Sequence, residues 1–179
     1  AAVPVKLSSI INDTTGTLIA SNYVEPDTKI ACIFGTGCNA AYMEDVSEIP
    51  KLRHLNLPPH EKMAINCEYG AFDSYEHKYL ASVRTKYDEE IDLTSNKPHE
   101  QTFEKMIAGM YLGEIFRLIL CDLVYEGVLF LGQETYKIEK AFCFDTAFLS
   151  LIEADSTEEL LTVMGLFKYF FSLETDLDE

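Results

Sequence analysis

The chain has 179 residues, 47% hydrophobic and 25% charged, so it is able to bury the core of one domain and is not disordered by composition. Its 30 acidic and 14 basic residues give a net charge of −16, which argues against binding to nucleic acid or to an anionic membrane. No apolar run has the roughly 20 residues that a membrane-spanning helix needs, and the first residues lack a signal-peptide pattern.

The cysteines and histidines give no sign of a metal centre. The five cysteines form no CxxC pair, and most lie in apolar runs, as free thiols in a reducing compartment do. The four histidines have no ligand-like spacing. We therefore expect a cytoplasmic protein without a metal site of its own.

The first half of the chain predicts strands and short turns. A strand is expected at residues 6–12, followed by a helix or turn at 14–21. The runs KIACIFGTG and CNAAYMED predict two strands that form a hairpin around the Gly-Thr-Gly turn. A proline-marked loop, PKLRHLNLPPHEK, leads to another short strand in MAINCEYG.

The second half predicts helices. Residues 72–101 are polar and rich in turn residues, and they are expected to form an exposed surface segment. The apolar pattern then predicts one long, largely buried helix at residues 102–126, with Thr102 as its cap and Gly127 at its end. Gly109 and Gly113 lie on one face of it and allow another element to approach closely. A shorter helix is expected at 157–171 and an acidic, solvent-exposed tail at 172–179, which together with the strands indicates a mixed α/β domain.

Polar residues recur where the predicted elements begin or end. Carboxylates, amides and a glycine turn in such places suit a ligand with many hydroxyls, and the turn is able to cradle phosphate. Each residue also has an ordinary explanation as a helix cap, a turn residue or an ion-pair partner. The set comprises Asn12, Asp13, Gly35, Thr36, Gly37, Asn39, Glu68 and Glu104.

Four motifs in this order resemble those of the large domain of eukaryotic hexokinases: INDTTGT, IFGTGCNAAYME, AINCEYGAFD and FEKMIAGMYLGEIFRLIL. The segment INCEYGAFD, followed by RTKYD, is most similar to the corresponding segments of fungal hexokinases and glucokinases. The resemblance covers residues 3–132 and, more weakly, AFCFDTAFLSLIEAD. It implies the actin-like ATPase (ribonuclease-H-like) α/β fold, here an incomplete large domain of a hexokinase.

The resemblance also implies an activity: transfer of the γ-phosphoryl group of ATP, with Mg²⁺, to the 6-hydroxyl of glucose or a related hexose, the first step of glycolysis. It makes Asp13 the catalytic base. The residues implied to bind sugar hydroxyls are Asn12, Asn39, Glu68 and Glu104. The residues implied to bind phosphate are Gly35, Thr36 and Gly37, with Thr36 near the γ-phosphate.

Other parts of the family pattern are missing. The resemblance places residues 1–9 at the hinge from a small domain, after the first phosphate loop and before the adenosine-binding region, neither of which is present. We therefore expect the fragment alone to be inactive. Two alternatives remain open: a non-catalytic sugar-binding or regulatory protein, and an assembly domain that self-associates through surface such as GLFKYFF.

Overall fold

The computed structural model describes residues 4–58 and 60–175. These residues form two compact units. The first contains the described residues of Ala1–Phe34 and Cys38–Tyr69, and the second contains those of Gly35–Gly37 and Gly70–Glu179.

The first unit is built on a three-stranded antiparallel sheet in the order β1-β2-β3. Its strands are β1 (Ile30–Phe34), β2 (Cys38–Asp45) and β3 (Lys62–Asn66). Phe34 pairs with Cys38, so β1 and β2 form the predicted hairpin. All three of these strands were predicted from the sequence, and the structure confirms them.

Helix α1 (Asp13–Val24) packs on this sheet. Leu18 of α1 is fully buried and forms a small apolar cluster with Ala31 of β1 and Ala41 of β2. Of the helix or turn predicted at residues 14–21, the structure shows the helix, which is longer than expected. Burial of Leu18 fixes α1 on the sheet and thereby fixes the position of the helix start.

The predicted first strand, residues 6–12, is wrong. These residues form no strand in the structure, and Ile10 is 87% exposed. A strand needs a neighbour for its backbone N–H and C=O groups, and no strand of the described residues pairs with this segment. The predicted loop before β3 is also partly ordered, because Pro50–Leu55 forms a 3-10 helix.

The second unit is helical. Its helices are α2 (Lys86–Thr94), α3 (Thr102–Ile107), α4 (Gly109–Tyr125), α5 (Thr146–Glu153) and α6 (Leu161–Leu166), and a π-helical turn at Phe167–Phe171 follows α6. The core is aromatic: Phe144 contacts Phe116, Phe148, Phe167 and Phe171. No helix in the part of the chain that the structure describes is long and apolar enough to span a membrane.

The surface segment predicted at residues 72–101 is partly wrong, because it contains the helix α2. Thr85 and Asp88 form a capping box at its start, and Ile91 and Asp92 are buried. The polar composition of this segment does not indicate exposure, because the buried Asp92 is paired with the buried cations Arg84 and Lys105.

The predicted long helix at residues 102–126 is two helices. Ala108 leaves the helical conformation, with φ −80° and ψ 151°. The N–H groups of Gly109 and Met110 donate instead to the carbonyls of Gly35 and Thr36, at 2.8 and 3.2 Å. The expected end at Gly127 has the left-handed φ of 71°, but the residue before α3 is Gln101 rather than a Thr102 cap.

The two glycines of α4 allow the close approaches that the sequence predicted. A Cβ on Gly109 would lie 2.8 Å from the carbonyl oxygen of Gly35, and one on Gly113 would overlap that of Phe144. Both neighbours are backbone atoms, so neither can yield easily. These positions require glycine for packing rather than for backbone conformation.

The end of the chain differs from the prediction in two places. The last helix begins at Leu161 rather than at residue 157. Leu173 is fully buried, so the expected acidic tail at 172–179 begins in the core. Residues 176–179 of that tail lie outside the described residues.

Candidate functional site

The start of α1 presents one amide and one carboxylate. Asn12 is the N-cap, and its Oδ1 accepts from the N–H groups of Thr14 and Thr15 at 2.9 and 3.4 Å. Asp13 Oδ1 accepts from the Thr14 N–H at 2.8 Å. Within the described residues, Asn12 Nδ2 and Asp13 Oδ2 have no hydrogen-bond partner, so one donor and one acceptor are available to a ligand.

A second polar group lies where β2 begins and β3 ends. The Oδ1 of the buried Asn39 accepts from the backbone N–H groups of Ala40 and Glu68, at 2.8 and 2.9 Å. These two bonds fix which way its amide points. Its Nδ2 therefore donates, to Asn66 Oδ1 at 2.7 Å and to Glu68 Oε1 at 3.2 Å.

Asn66 completes this group. Its Nδ2 donates to Glu68 Oε1 at 2.7 Å, so one carboxylate oxygen accepts from two amides. Glu68 Oε2 has no partner in residues 4–58 and 60–175. A sugar hydroxyl both donates and accepts, so the pairing of an amide donor with a carboxylate acceptor is complementary to it.

Glu68 has a left-handed backbone, with φ 49°. This conformation is uncommon for a residue with a side chain and costs free energy of order 1–3 kcal/mol. The N–H of Glu68 is held by Asn39 Oδ1, which secures the conformation from the adjacent strand. Such local strain next to an open carboxylate oxygen is typical of a binding site.

The Gly-Thr-Gly turn, in the second unit, exposes donors. Its carbonyls at Gly35 and Thr36 accept from the N–H groups of Gly109 and Met110, which begin α4. The Thr36 N–H, the Thr36 hydroxyl and the Gly37 N–H have no hydrogen-bond partner among the residues that the structure describes. Donors grouped in this way suit the oxygens of a phosphate.

Glu104 lies in the first turn of α3, between two glycines. A Cβ on Gly37 would lie 2.6 Å from Glu104 Oε2, and one on Gly70 would lie 3.0 Å from Glu104 Cβ. The carboxylate therefore occupies space that only the absence of side chains at residues 37 and 70 leaves open. Among the predicted site residues, the structure brings Glu104 together with the turn and brings Asn39 together with Glu68.

Asn66 was missed by the sequence analysis. It ends the apolar run MAIN, two residues before Glu68, as the other site residues end theirs. The signal was therefore present: a strand has a period of two residues, which makes Asn66 and Glu68 candidates for one face.

His77 and His99 come together although their spacing gave no hint of it. His77 Nε2 and His99 Nδ1 are 3.1 Å apart, beside Asp92. Asp92 already accepts from Lys105 and Arg84, at 2.7 and 3.0 Å. Burial of Asp92 acts to raise its pKa. The hydrogen bonds from the Lys105 ammonium and the His99 N–H, together with the positive charges of Lys105 and Arg84, outweigh burial and lower the pKa of Asp92. We interpret this cluster as an ion-pair network.

Comparison with known proteins shows the family of this chain. Residues 29–179 match the family model described as Hexokinase. The chain is 50% identical to the hexokinase of Emericella nidulans over 179 residues, covering 99% of this chain and 36% of that protein. It is also 50% identical to hexokinase-1 of Schizosaccharomyces pombe over 175 residues, covering 98% and 36%.

A solved structure shows the same fold. The hexokinase from Schistosoma mansoni complexed with glucose superposes with a TM-score of 0.82 at 32% identity, covering 94% of this chain and 37% of that one. The fold is thus part of an actin-like ATPase fold. The chain belongs to the hexokinase family and spans about a third of the length of the fungal relatives that it matches.

Proposed function

We propose that this chain is the part of a hexokinase that binds the sugar and supplies the catalytic base for phosphorylation of glucose or a related hexose at the 6-hydroxyl. The observation that carries the proposal is the paired amide and carboxylate of Asn39 and Glu68, with an open Glu68 oxygen, in a chain of the hexokinase family. Glucose is the sugar bound in the related Schistosoma mansoni structure.

The sugar would be recognised by its hydroxyls. A hydroxyl can insert into the 3.2 Å contact between Asn39 Nδ2 and Glu68 Oε1, accepting from the amide and donating to the carboxylate. Asn12 would bind a further hydroxyl through its open Nδ2, and Glu104 would accept from another. A sugar with one hydroxyl missing or inverted leaves a polar group unpaired and binds more weakly.

Asp13 would act as the general base. Its Oδ1 accepts from the Thr14 N–H at the start of α1, which leaves Oδ2 to accept from a ligand. A carboxylate in hydrogen-bond reach of the attacking hydroxyl accepts its proton as the bond to phosphorus forms. The start of a helix also favours a negative charge at this position.

The donors of the Gly-Thr-Gly turn fit a nucleotide phosphate. Thr36 would contribute its N–H and hydroxyl, and Gly37 its N–H, to the phosphate oxygens. ATP, as its magnesium complex, supplies the phosphoryl group when it is bound. The residues of the turn would orient that group and stabilise its negative charge by hydrogen bonds.

Replacement of Asp13 tests this proposal, in a polypeptide of full hexokinase length that carries these 179 residues. Asp13→Ala should lower kcat by two to four orders of magnitude, because a general base contributes about that much. Glucose affinity should be largely retained. The measurements are glucose-dependent ADP release and glucose titration.

The exposed Asp27, which follows α1 in a turn, provides the control. Asp27→Ala removes the same charge and should leave kcat unchanged. An Asp13→Ala variant with the unaltered kcat would exclude Asp13 as the base.

A further inference from the structure

We propose that Asn66 is a positioning residue of the sugar site, which holds Glu68 and Asn39 in the orientation that a sugar hydroxyl requires. This inference rests on the proposed function. Asn66 would act through its two neighbours rather than through the sugar itself.

Both ends of the Asn66 amide are used. Its Oδ1 accepts from Asn39 Nδ2 at 2.7 Å, and its Nδ2 donates to Glu68 Oε1 at 2.7 Å. The orientation is unambiguous, because the two backbone bonds to Asn39 Oδ1 make Asn39 Nδ2 the donor. Asn66 therefore links an amide and a carboxylate that are 29 residues apart in the chain.

The strands explain why Asn66 can do this. Asn66 pairs with Ala41 across β2 and β3, and Asn39 lies two residues before Ala41 on β2. Asn39 and Asn66 are thus diagonal neighbours on one face of the sheet. Both are mounted on regular strands, whereas Glu68 lies beyond the end of β3 with a φ of 49°.

The two bonds to Glu68 Oε1 differ in length, and this gives Asn66 its particular role. The Asn39 bond, at 3.2 Å, is the longer one, and an inserted hydroxyl could replace it. The Asn66 bond, at 2.7 Å, can persist while the sugar is bound. Asn66 would then keep the carboxylate in place when its contact with Asn39 opens.

The test uses the 179-residue chain with two replacements, Asn66→Ala and Asn66→Asp. The alanine removes both bonds. The aspartate keeps an acceptor for Asn39 but places a second negative charge beside Glu68. Asn96, an exposed residue of the loop after α2, offers matched controls as Asn96→Ala and Asn96→Asp.

Two properties are measured: the nitrogen-15 and proton resonances of the Asn39 side-chain amide, and glucose affinity by calorimetry. Asn66→Ala should shift the Asn39 amide resonances, speed their hydrogen exchange and weaken glucose binding about tenfold or more. Asn66→Asp should weaken binding further. The Asn96 variants should match the unaltered chain, and the midpoint of thermal unfolding should change little in any variant.

Unchanged Asn39 resonances in Asn66→Ala would overturn the inference, whatever the effect on glucose. Shifted resonances with full glucose affinity would overturn it too, since the positioning would then not serve the sugar. If the unaltered chain binds no glucose, the proposed function loses its support in this chain. The Asn39 resonances then decide alone whether Asn66 positions its neighbours.

Discussion

Asn12 and Asp13 each serve both the helix and the proposed reaction. The side-chain oxygen of Asn12, Oδ1, caps α1, which leaves the side-chain nitrogen Nδ2 for a ligand. One oxygen of Asp13 accepts from the Thr14 N–H, which leaves the other for a proton. Because burial of Leu18 anchors α1 on the sheet, the direction of both side chains is set by packing.

Gly37 determines where the Glu104 carboxylate can lie. Gly37→Ala should weaken glucose binding by the 179-residue chain, because the new Cβ would displace Glu104 Oε2, which lies 2.6 Å from that position. The stability cost should be small, since the displaced atom is the end of a flexible side chain. Calorimetric titration with glucose and thermal unfolding measure the two effects.

The adjacent Gly35 is the matched control, because nothing lies within 4 Å of a Cβ at that position. Gly35→Ala should keep the glucose affinity of the unaltered chain, whatever it does to a phosphate. Equal glucose affinity in Gly37→Ala and Gly35→Ala would show that the glycine does not make room for Glu104.

Among the elements, the break between α3 and α4 positions the Gly-Thr-Gly turn. The Gly109 N–H, at the start of α4, donates to the Gly35 carbonyl. The Thr146 hydroxyl of α5 donates to the Gly109 carbonyl and accepts from the Gly113 N–H. In an unbroken helix, the N–H groups of Gly109 and Met110 would donate to carbonyls of the same helix, four residues earlier. The break therefore converts a helix start into a support for the turn.

A buried ion pair joins α2 to α3. Asp92, on α2, is 1% exposed and accepts from Lys105 of α3 at 2.7 Å. Asp92→Asn should destabilise the chain by about 3–5 kcal/mol, because it leaves Lys105 buried without its countercharge. Denaturant unfolding measures this loss. Asp45→Asn, in the exposed pair with Lys62, should cost at most about 1 kcal/mol.

The Asp92–Lys105 pair also predicts how the free energy of unfolding depends on pH in acid. The pKa of Asp92 is lowered in the folded chain from its ordinary value of 3.8, so the folded state binds its proton less readily than the unfolded state does. The contribution of Asp92 to stability is thus present above pH 3.8 and is lost as the pH falls below it. An unfolding free energy with the same acid dependence in Asp92→Asn would contradict this.

The elements that the sequence predicted correctly are those with a local signal. The β1–β2 hairpin follows from two β-branched runs around Gly35–Gly37, and α1 follows from its cap. The strand predicted at residues 6–12 failed because pairing depends on a partner that a local pattern does not show. The break at Ala108 was also hidden, since its cause is a pair of carbonyls more than 70 residues earlier.

For the whole molecule, the family and the fold class were predicted from the sequence, and the comparisons confirm both. The motifs around Asp13, Asn39, Glu68 and Glu104 assign these residues their roles by resemblance, and those roles stay predictions. Asn66 lies in the same motif as Glu68, but its contact with Asn39 depends on the cross-strand register, which the motif does not show.

We expect the Asn39–Glu68 part of the proposed sugar site to be preformed in this chain, which spans about a third of its relatives' length. Calorimetric titration of the 179-residue chain with glucose tests this, with galactose as the control. We expect saturable binding of glucose, even if only millimolar, and weaker or no binding of galactose. Absence of glucose binding, or equal binding of both sugars, would contradict it.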